Sequence, residues 1–301
     1  MQIGSEILKI DTDCPECLIH RGFIETHKAT LESQKRLNAS LAMLKAIVEN
    51  LKHDSVPGVI GTIREEVIRR ETGNNDLYAV DKRESNKQAS DLLHGLRNRI
   101  AGTESEVERF RLASRLSAIG NLIEFDILGY SVRLDQLEAQ IQQVEFGIDD
   151  SDSALKLSKS SKNVMLLTDN AGEIAFDILL VEELKRIGLS VTVAVKNAPI
   201  MNDATLEDAL QVGMNKVADN VITTGEACVG LLYDDTSPEF RQVLDKMDLI
   251  VAKGMGHYET MTERKWNQPI LHVLIAKCRP VASSLGIRRG QGAILLRRAK
   301  L

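Results

Sequence analysis

One stretch constrains the fold of this chain most, because an apolar run in it ends abruptly on polar residues. Residues 164–167 are apolar, and Asp169, Asn170 and Glu173 follow closely. The run has the length of a buried parallel strand, and residues 174–184 continue with the apolar period of a helix. Ligands of open α/β sheets bind beyond the carboxyl ends of strands. The pattern therefore predicts a site for a metal ion and a phosphate group at this strand end.

The second half of the chain alternates strand-like and helix-like segments. Short β-branched and aliphatic runs predict strands at 163–168, 190–195, 220–223 and 249–252, with two more at 272–276 and 293–297. Apolar-periodic segments between them predict helices at 174–186, 205–212 and around 237–247. This alternation predicts an α/β fold with a doubly wound, mostly parallel sheet.

The first half differs, since its apolar residues recur with the period of helices. Helices are predicted over most of the chain from residue 14 to about residue 126, and again at 134–144. Few segments before residue 160 resemble strands, and the polar stretch 149–162 is interpreted as a connector. We therefore expect an all-helical N-terminal domain at 1–155 and an α/β metal- and phosphate-binding domain at 156–301.

Charge and composition limit the classes of partner. The 301 residues carry a net charge of −5 and 4% aromatic residues, so neither phosphate neutralisation nor base stacking favours nucleic-acid binding. No apolar run is long enough to span a bilayer, and the N-terminus lacks the features of a signal peptide. We expect a cytoplasmic protein without nucleic-acid or membrane partners, and the sequence leaves its oligomeric state open.

Polar or glycine-containing segments follow four of the predicted strands. These segments are residues 169–173, 196–205, 223–226 and 253–259. If the strands are parallel, all four segments lie at the same edge of the sheet. Side chains from separate strand ends are then expected to share one site.

The residue types in these segments suit a hard cation beside a phosphate. The predicted metal ligands are the oxygen atoms of Asp169, Asn170 and Asp203, which suit magnesium or manganese. Lys253 offers positive charge to phosphate, and backbone amides at Gly225 and Gly254 offer hydrogen bonds. Each residue also has an ordinary structural interpretation, such as a helix N-cap for Asp203 or a solvated loop for Lys253 and Gly254. Their joint placement at strand ends favours the site.

The same residues resemble the damage-control phosphatase family, whose metal-binding domain is also called acidic-residue-methyltransferase-like and was formerly a domain of unknown function. The Asp-Asn-Ala-Gly-Glu segment at 169–173 is the most specific match. Further matches are Asp177, 202–205 with Asp208, Gly120–Asn121, 253–259, 277–278, 281–282 and 285–286. The opening segment 13–17 is similar to the prokaryotic branch, which carries paired N-terminal cysteines. His257 departs from the pattern, since the family often has Asn there.

This resemblance implies a helical N-terminal domain packed on an α/β domain. It implies a phosphatase that depends on a divalent metal ion, for which manganese, nickel, cobalt and magnesium are candidates. Its implied substrates are small phosphorylated metabolites, often sugar phosphates or damaged cofactor intermediates. The implied metal ligands are Asp169, Asn170 and Asp203. The implied phosphate-binding residues are Lys253, Glu173 and Asn121.

For the reaction we predict that water activated by the metal attacks phosphorus directly, while Lys253 offsets the charge that develops on phosphate. The competing mechanism makes Asp169 a nucleophile, as in haloacid-dehalogenase-like phosphatases with a strand-end Asp-x-Asp. Ala171 stands where that motif has its second acid, which favours water attack. Glu173 is open to three interpretations: a general base, a residue that orients a metal-bound water, or an ordinary first-turn Glu.

Three other residues also keep two interpretations each. His257 is either a general acid or substrate contact, or a loop histidine with no such role. Asn121 and Glu124 either close the site from the helical domain, or follow an ordinary helix end at Gly120.

The cysteines suggest a second site. Cys14, Cys17 and Cys278, with His20, are candidate ligands of a softer metal, and a Cys-x-x-Cys pair at a helix start favours the thiolate. The alternative is that these thiols are buried and inert.

Two other function classes compete with phosphate hydrolysis. A methyltransferase that uses S-adenosylmethionine usually has a Gly-rich loop after its first strand, and Ala171-Gly172 is a poor match to it. A non-catalytic module that binds a phosphorylated ligand would use the same residues without turnover.

Overall fold

The computed structural model describes residues 8–120 and 143–298. Its first part consists of five helices, as the periodicity predicts. Their bounds are Cys14–Ala29 (α1), Ser33–Asn50 (α2), Pro57–Thr72 (α3), Ala79–Ala101 (α4) and Glu106–Gly120 (α5). Asn121, Glu124 and most of the helix predicted at 134–144 lie outside the described residues.

The second part is built on a seven-stranded sheet. The strands are Phe146–Asp149 (β1), Asn163–Leu167 (β2), Ser190–Val195 (β3), Asn220–Thr223 (β4), Leu249–Lys253 (β5), Ile270–Ile275 (β6) and Gly292–Arg297 (β7). Their spatial order is β1-β7-β6-β5-β2-β3-β4, and β6–β7 is the one antiparallel pair within it. The predicted α/β class with a mostly parallel sheet is therefore confirmed.

Two elements around residue 150 differ from the prediction. Residues 149–162 are not a simple connector, because Ser151–Ser160 forms a helix (α6) that buries Ala154 and Leu155. β1 precedes it and was not predicted, since its sequence Phe-Gly-Ile-Asp lacks the β-branched and aliphatic run by which the other strands were recognised. The predicted domain boundary at 155/156 falls inside α6 and stays a prediction.

Five more helices connect the strands. Their bounds are Glu173–Ile187 (α7), Leu206–Val212 (α8), Pro238–Leu244 (α9), Gly254–Met261 (α10) and Arg279–Leu285 (α11). All nine residues of α7 from Glu173 to Val181 are buried, because α7 also packs against α4 and α5 of the N-terminal part. This explains why residues 174–181 are apolar on all sides except at Asp177, rather than on one stripe.

The strand order explains where a ligand would bind. β2 lies near the middle of the sheet, with β3 and β4 on one side and β5 on the other. The chain therefore reverses its direction across the sheet between β2 and β5, and such reversals open a crevice at the carboxyl ends of strands. Asp169 follows β2 and Gly254 follows β5, so both lie at this crevice. Within the described ranges, no helix has the length and apolar character needed to cross a membrane.

Candidate metal and phosphate site

The loops after β2 and β3 are held together by their backbones. Asn170 and Asp203 face each other as an isolated antiparallel bridge. The flanking hydrogen bonds run from Ala171 N to Asn202 O, 2.8 Å, and from Ala204 N to Asp169 O, 2.7 Å. Because the bonds flank the pair, the side chains of Asn170 and Asp203 lie close together on one face. Two predicted ligands from different strand ends are thus brought side by side.

Asp169 is brought to the same place by the loop after β5. Gly254 has φ +75, and a Cβ atom built there would overlap the Asp169 carboxylate. A glycine is therefore required for the two loops to approach this closely. The predicted contact between the Gly254 amide and phosphate stays a prediction, but the steric reason for this glycine is plain.

The three predicted ligands fit a hard divalent cation. Asp169, Asn170 and Asp203 are 7%, 2% and 4% exposed, and all three border one cavity. The Asn170 amide nitrogen donates to Asp169 Oδ2 at 3.0 Å and to Glu173 Oε2 at 3.1 Å, which turns its oxygen away from these carboxylates. In the described ranges no three His, Cys, Asp or Glu side chains form a metal-binding group. A metal here would therefore need the Asn170 oxygen beside two carboxylates, an oxygen set that suits magnesium or manganese.

Lys253 lies in a buried ionic network. Its Nζ lies 2.5 Å from Glu173 Oε1 and 3.0 Å from Asp177 Oδ1, and it donates to the carbonyl oxygen of Ser117 at 2.8 Å. Burial alone would lower the pKa of Lys253, but the carboxylates of Asp177 and Glu173 outweigh it and raise the pKa. In this arrangement the ammonium group contacts carboxylates, and its predicted contact with phosphate stays a prediction.

Asp177 is a member of this network to which the sequence analysis assigned no role. It is fully buried, and burial raises its pKa to about 6 against the opposing charge of Lys253. The Ser117 hydroxyl donates to Asp177 Oδ1 at 2.6 Å. A signal was present, because Asp177 lies four residues after Glu173, and therefore on the same face, in a helix half that is otherwise apolar.

A cavity of about 130 Å³ opens in front of Asp169, Asn170 and Asp203. Its lining also includes Cys14, Cys17 and Arg21 of α1, Arg64 of α3, and Cys278 at the start of α11. No local pattern marked the two arginines, since their helices are far from β2 in the sequence. The N-terminal helices therefore contribute to this site directly.

The three cysteines line the same cavity, and two of them, Cys14 and Cys278, carry little thiolate character. Burial raises the pKa of Cys14 to about 11 and that of Cys278 to about 12. His20 is exposed and borders a different surface depression, with Phe23 and His27. Because the described residues form no metal-binding group of His, Cys, Asp or Glu, they do not form the predicted soft-metal site.

His257 was expected to lie in a loop, but it lies in α10. Its Nδ1 donates to the Lys253 carbonyl oxygen at 2.7 Å, and the side chain is 1% exposed. Burial, together with the charge of Lys196, holds the pKa of His257 well below its usual value. The alternative of a solvated loop at Lys253 and Gly254 is also wrong, since both residues are buried. The cavity lining described above does not include His257, and its contact with substrate stays a prediction.

Gly225 lies away from the cavity. It has φ +80 and packs against Ser237 at the start of α9, whose backbone amide donates to Thr224 O at 3.0 Å. β4 is the edge strand beyond β3, so its loop is two strand spacings from β2, on the order of 10 Å. The role of Gly225 in phosphate binding stays a prediction, and that of Asn121 concerns a residue outside the described ranges.

The chain matches the model of a known protein family and is similar to several known proteins over nearly its whole length. A family model described as the damage-control phosphatase ARMT1-like domain matches residues 10–292. An uncharacterized protein of Methanocaldococcus jannaschii is 33% identical over 301 residues, covering 99% of this chain and 98% of that protein. A damage-control phosphatase of Archaeoglobus fulgidus is 32% identical over 284 residues, covering 94% of this chain and 97% of that protein.

Similar proteins include one of known structure. A damage-control phosphatase of Pyrococcus horikoshii is 30% identical over 298 residues, covering 98% of this chain and all of that protein. The crystal structure of a DUF89-family protein from the same organism superposes with a TM-score of 0.83 at 28% identity, covering 97% of this chain and 99% of that one. The similarity therefore extends over the helical part, the sheet and the loops that carry Asp169 and Asp203.

Proposed function

This chain belongs to the damage-control phosphatase ARMT1-like family, and on that premise we propose that it is a divalent-metal-dependent phosphatase of small phosphorylated metabolites. The names of the relatives from Archaeoglobus fulgidus and Pyrococcus horikoshii support a phosphatase role. The metal dependence, the substrate class and the mechanism are our proposals. Sugar phosphates and damaged cofactor intermediates are the substrates we propose to test first.

One observation carries the proposal. The backbone bridge between Asn170 and Asp203 brings together three oxygen-bearing side chains from the ends of β2 and β3, and the close approach of Gly254 places the end of β5 against Asp169. Nothing in strand pairing alone requires the loops after β2 and β3 to pair again beyond the sheet. The arrangement is well suited to holding one cation with coordination positions left for water and phosphate.

The residues of this chain would divide the chemistry as follows. Asp169, Asn170 and Asp203 would hold the cation, which when bound supplies positive charge against the phosphoryl oxygens and lowers the pKa of the attacking water. Glu173 accepts from the Asn170 amide and fixes its rotation, so we assign Glu173 an orienting role. Lys253 in turn holds Glu173 and Asp177. Arg21 borders the cavity and favours an anionic substrate, whereas the charge of Arg64, which also borders it, is matched by Glu25.

A methyltransferase is disfavoured by the loop after β2. Gly172 N, the backbone donor nearest the start of α7, already donates to Asn86 Oδ1 at 2.6 Å. The Ala171 amide is likewise bonded to Asn202 O. These amides are therefore committed to the protein itself rather than directed at a cofactor.

The test is release of inorganic phosphate from a panel of phosphorylated metabolites with manganese, nickel, cobalt or magnesium. We expect metal-dependent release from at least one metabolite. Asp203→Ala should abolish it in a protein that circular dichroism shows to be folded, whereas Asp91→Ala, at an exposed position of α4, should leave it intact. Binding of phosphorylated metabolites with no release under any metal would replace the enzyme with a non-catalytic binding module.

A further inference from the structure

The backbone just before Asp203 is strained. Met201 has φ +47, and it is the one non-glycine residue with positive φ among residues 8–120 and 143–298. The left-handed conformation costs a residue with a side chain about 1–2 kcal/mol, so surrounding contacts must hold it. Met201 is 5% exposed and lies two residues before Asp203.

Helix α3 supplies those contacts. The Met201 amide donates to Glu65 Oε2 at 2.5 Å, and Arg64 Nη2 lies 3.7 Å from Met201 Sδ. One turn later on α3, Arg69 donates to the Pro199 carbonyl oxygen at 2.6 Å. Three side chains of one helix therefore hold the segment that leads into Asp203.

The helix side chains are themselves fixed. Arg64 binds Glu25 of α1 with two hydrogen bonds, from Nε at 2.8 Å and from Nη2 at 2.5 Å. Glu25, Arg64 and Glu65 are each at most 1% exposed. A buried two-bond pair of this kind has a well-defined geometry. The position of the Met201 backbone is thereby tied to the packing of α1 against α3.

Backbone hydrogen bonds connect Met201 to Asp203, the predicted metal ligand. Asp203 N donates to Ile200 O at 3.1 Å, which closes a turn around Met201. Asn202 O accepts from Ala171 N and so joins the same turn to the loop after β2. Relaxation of Met201 to an ordinary conformation would rotate this turn and separate Asp203 from Asn170.

We propose that Glu65 is a positioning residue for the metal site, because its hydrogen bond to the left-handed Met201 backbone sets the position of Asp203 against Asp169 and Asn170. Glu65 does not itself touch the ligand. The inference rests on the proposed function, since it takes Asp203 as a ligand of the cation. It adds that the N-terminal helices control metal affinity as well as lining the cavity.

The experiment measures binding of Mn²⁺ alone by titration calorimetry, with circular dichroism and melting temperature as checks on folding. Glu65→Leu removes the acceptor at similar volume, and we expect about tenfold weaker binding, the usual effect of losing a residue that orients a ligand. Burial, with Glu25 nearby, raises the pKa of Glu65 to about 8, so at pH 7 Gln is a close substitute that keeps the acceptor. Glu65→Gln should therefore keep nearly wild-type affinity.

Matched controls separate positioning from general damage. Glu66→Leu changes the neighbouring, exposed residue of α3 and should leave Mn²⁺ binding unchanged. Met201→Gly removes the conformational penalty, because glycine adopts positive φ freely. The loss caused by Glu65→Leu should therefore be smaller in the Met201→Gly background.

The outcomes are distinct. If the wild-type protein binds none of Mn²⁺, Ni²⁺, Co²⁺ and Mg²⁺, or if Asp203→Ala binds Mn²⁺ as tightly as the wild type, the proposed function fails. If the wild type binds through Asp203 but folded Glu65→Leu binds equally tightly, or loses as much affinity in the Met201→Gly background, the positioning role is overturned. Should Glu65→Leu not fold, Glu65→Asp withdraws the acceptor by one methylene, and wild-type Mn²⁺ affinity in that variant would count equally against the role.

Discussion

Lys253 Nζ lies 2.5 Å from Glu173 Oε1, and both side chains are completely buried. The same Glu173 accepts the Asn170 amide through its other oxygen, at 3.1 Å. The last residue of β5 therefore fixes the rotation of an amide after β2, through the first residue of α7. This relationship connects the buried ionic network to the predicted metal ligands and leads to the first two predictions.

Replacing Lys253 with Met should destabilise the protein strongly. The change leaves the buried carboxylates of Glu173 and Asp177 without their cation, and breaking such a pair costs about 3–5 kcal/mol. Urea denaturation followed by circular dichroism measures the free energy of unfolding. Lys246→Met, at an exposed position beyond α9, is the control and should change it little. Equal stabilities of the two variants would contradict the structural role of Lys253.

Replacing Glu173 with Gln should weaken metal binding rather than only slow turnover. Glu173 accepts hydrogen bonds from Asn170 and Lys253 through its two oxygens, but a Gln side chain has only one accepting oxygen. The Asn170 amide therefore loses a hydrogen bond that orients it. We expect roughly tenfold or greater weakening of Mn²⁺ binding. A general base would behave differently: kcat at saturating metal would fall while the Kd for Mn²⁺ stayed unchanged.

Gly254→Ala should abolish metal binding. Its Cβ would overlap the Asp169 carboxylate, so that side chain must leave its position. Gly73→Ala is a matched control, because Gly73 has nearly the same φ, +73 against +75, and open space around it. Both variants carry the backbone penalty of about 1–2 kcal/mol. Only Gly254→Ala should lose Mn²⁺ affinity, and retention of wild-type affinity there would contradict the predicted ligand role of Asp169.

His272 should make the protein less stable in mild acid. It is fully buried, both ring nitrogens lack hydrogen-bond partners in the described structure, and burial lowers its pKa from 6.5 to about 3. Between these values the unfolded chain binds a proton that the folded chain does not, so stability falls as the pH falls below 6.5. From pH 7 to pH 5 this amounts to about 2 kcal/mol.

The His272 contribution is measured by comparing denaturation at the two pH values. In His272→Leu the difference between pH 7 and pH 5 should shrink by about that amount. His94→Leu, at an exposed position of α4, should retain the wild-type difference. An unchanged pH dependence in His272→Leu would show that His272 is protonated in the folded protein.

Much of the fold was predictable because its signal is local. The strand predicted at 190–195 has the bounds of β3, since a β-branched run with only its first residue exposed is continuous in the sequence. The signal for α6 and α10 is weak, so neither was predicted: both helices are short, and the glycines Gly254 and Gly256 of α10 are typical of loops. β1 was not predicted because its four residues, Phe-Gly-Ile-Asp, include a glycine and an aspartate, which are rare in strands.

Periodicity and strand-end polarity are properties of neighbouring residues, so the α/β class, the helical first part and the strand ends that carry Asp169, Asn170 and Asp203 could be predicted from the sequence. Which of those ends meet is set by the tertiary structure. The strand order brings the loops after β2, β3 and β5 together and leaves Gly225 at the edge. It also decided that Lys253 faces carboxylates and that Glu65 holds Met201, since these contacts join residues 80 and 136 positions apart that no local pattern relates.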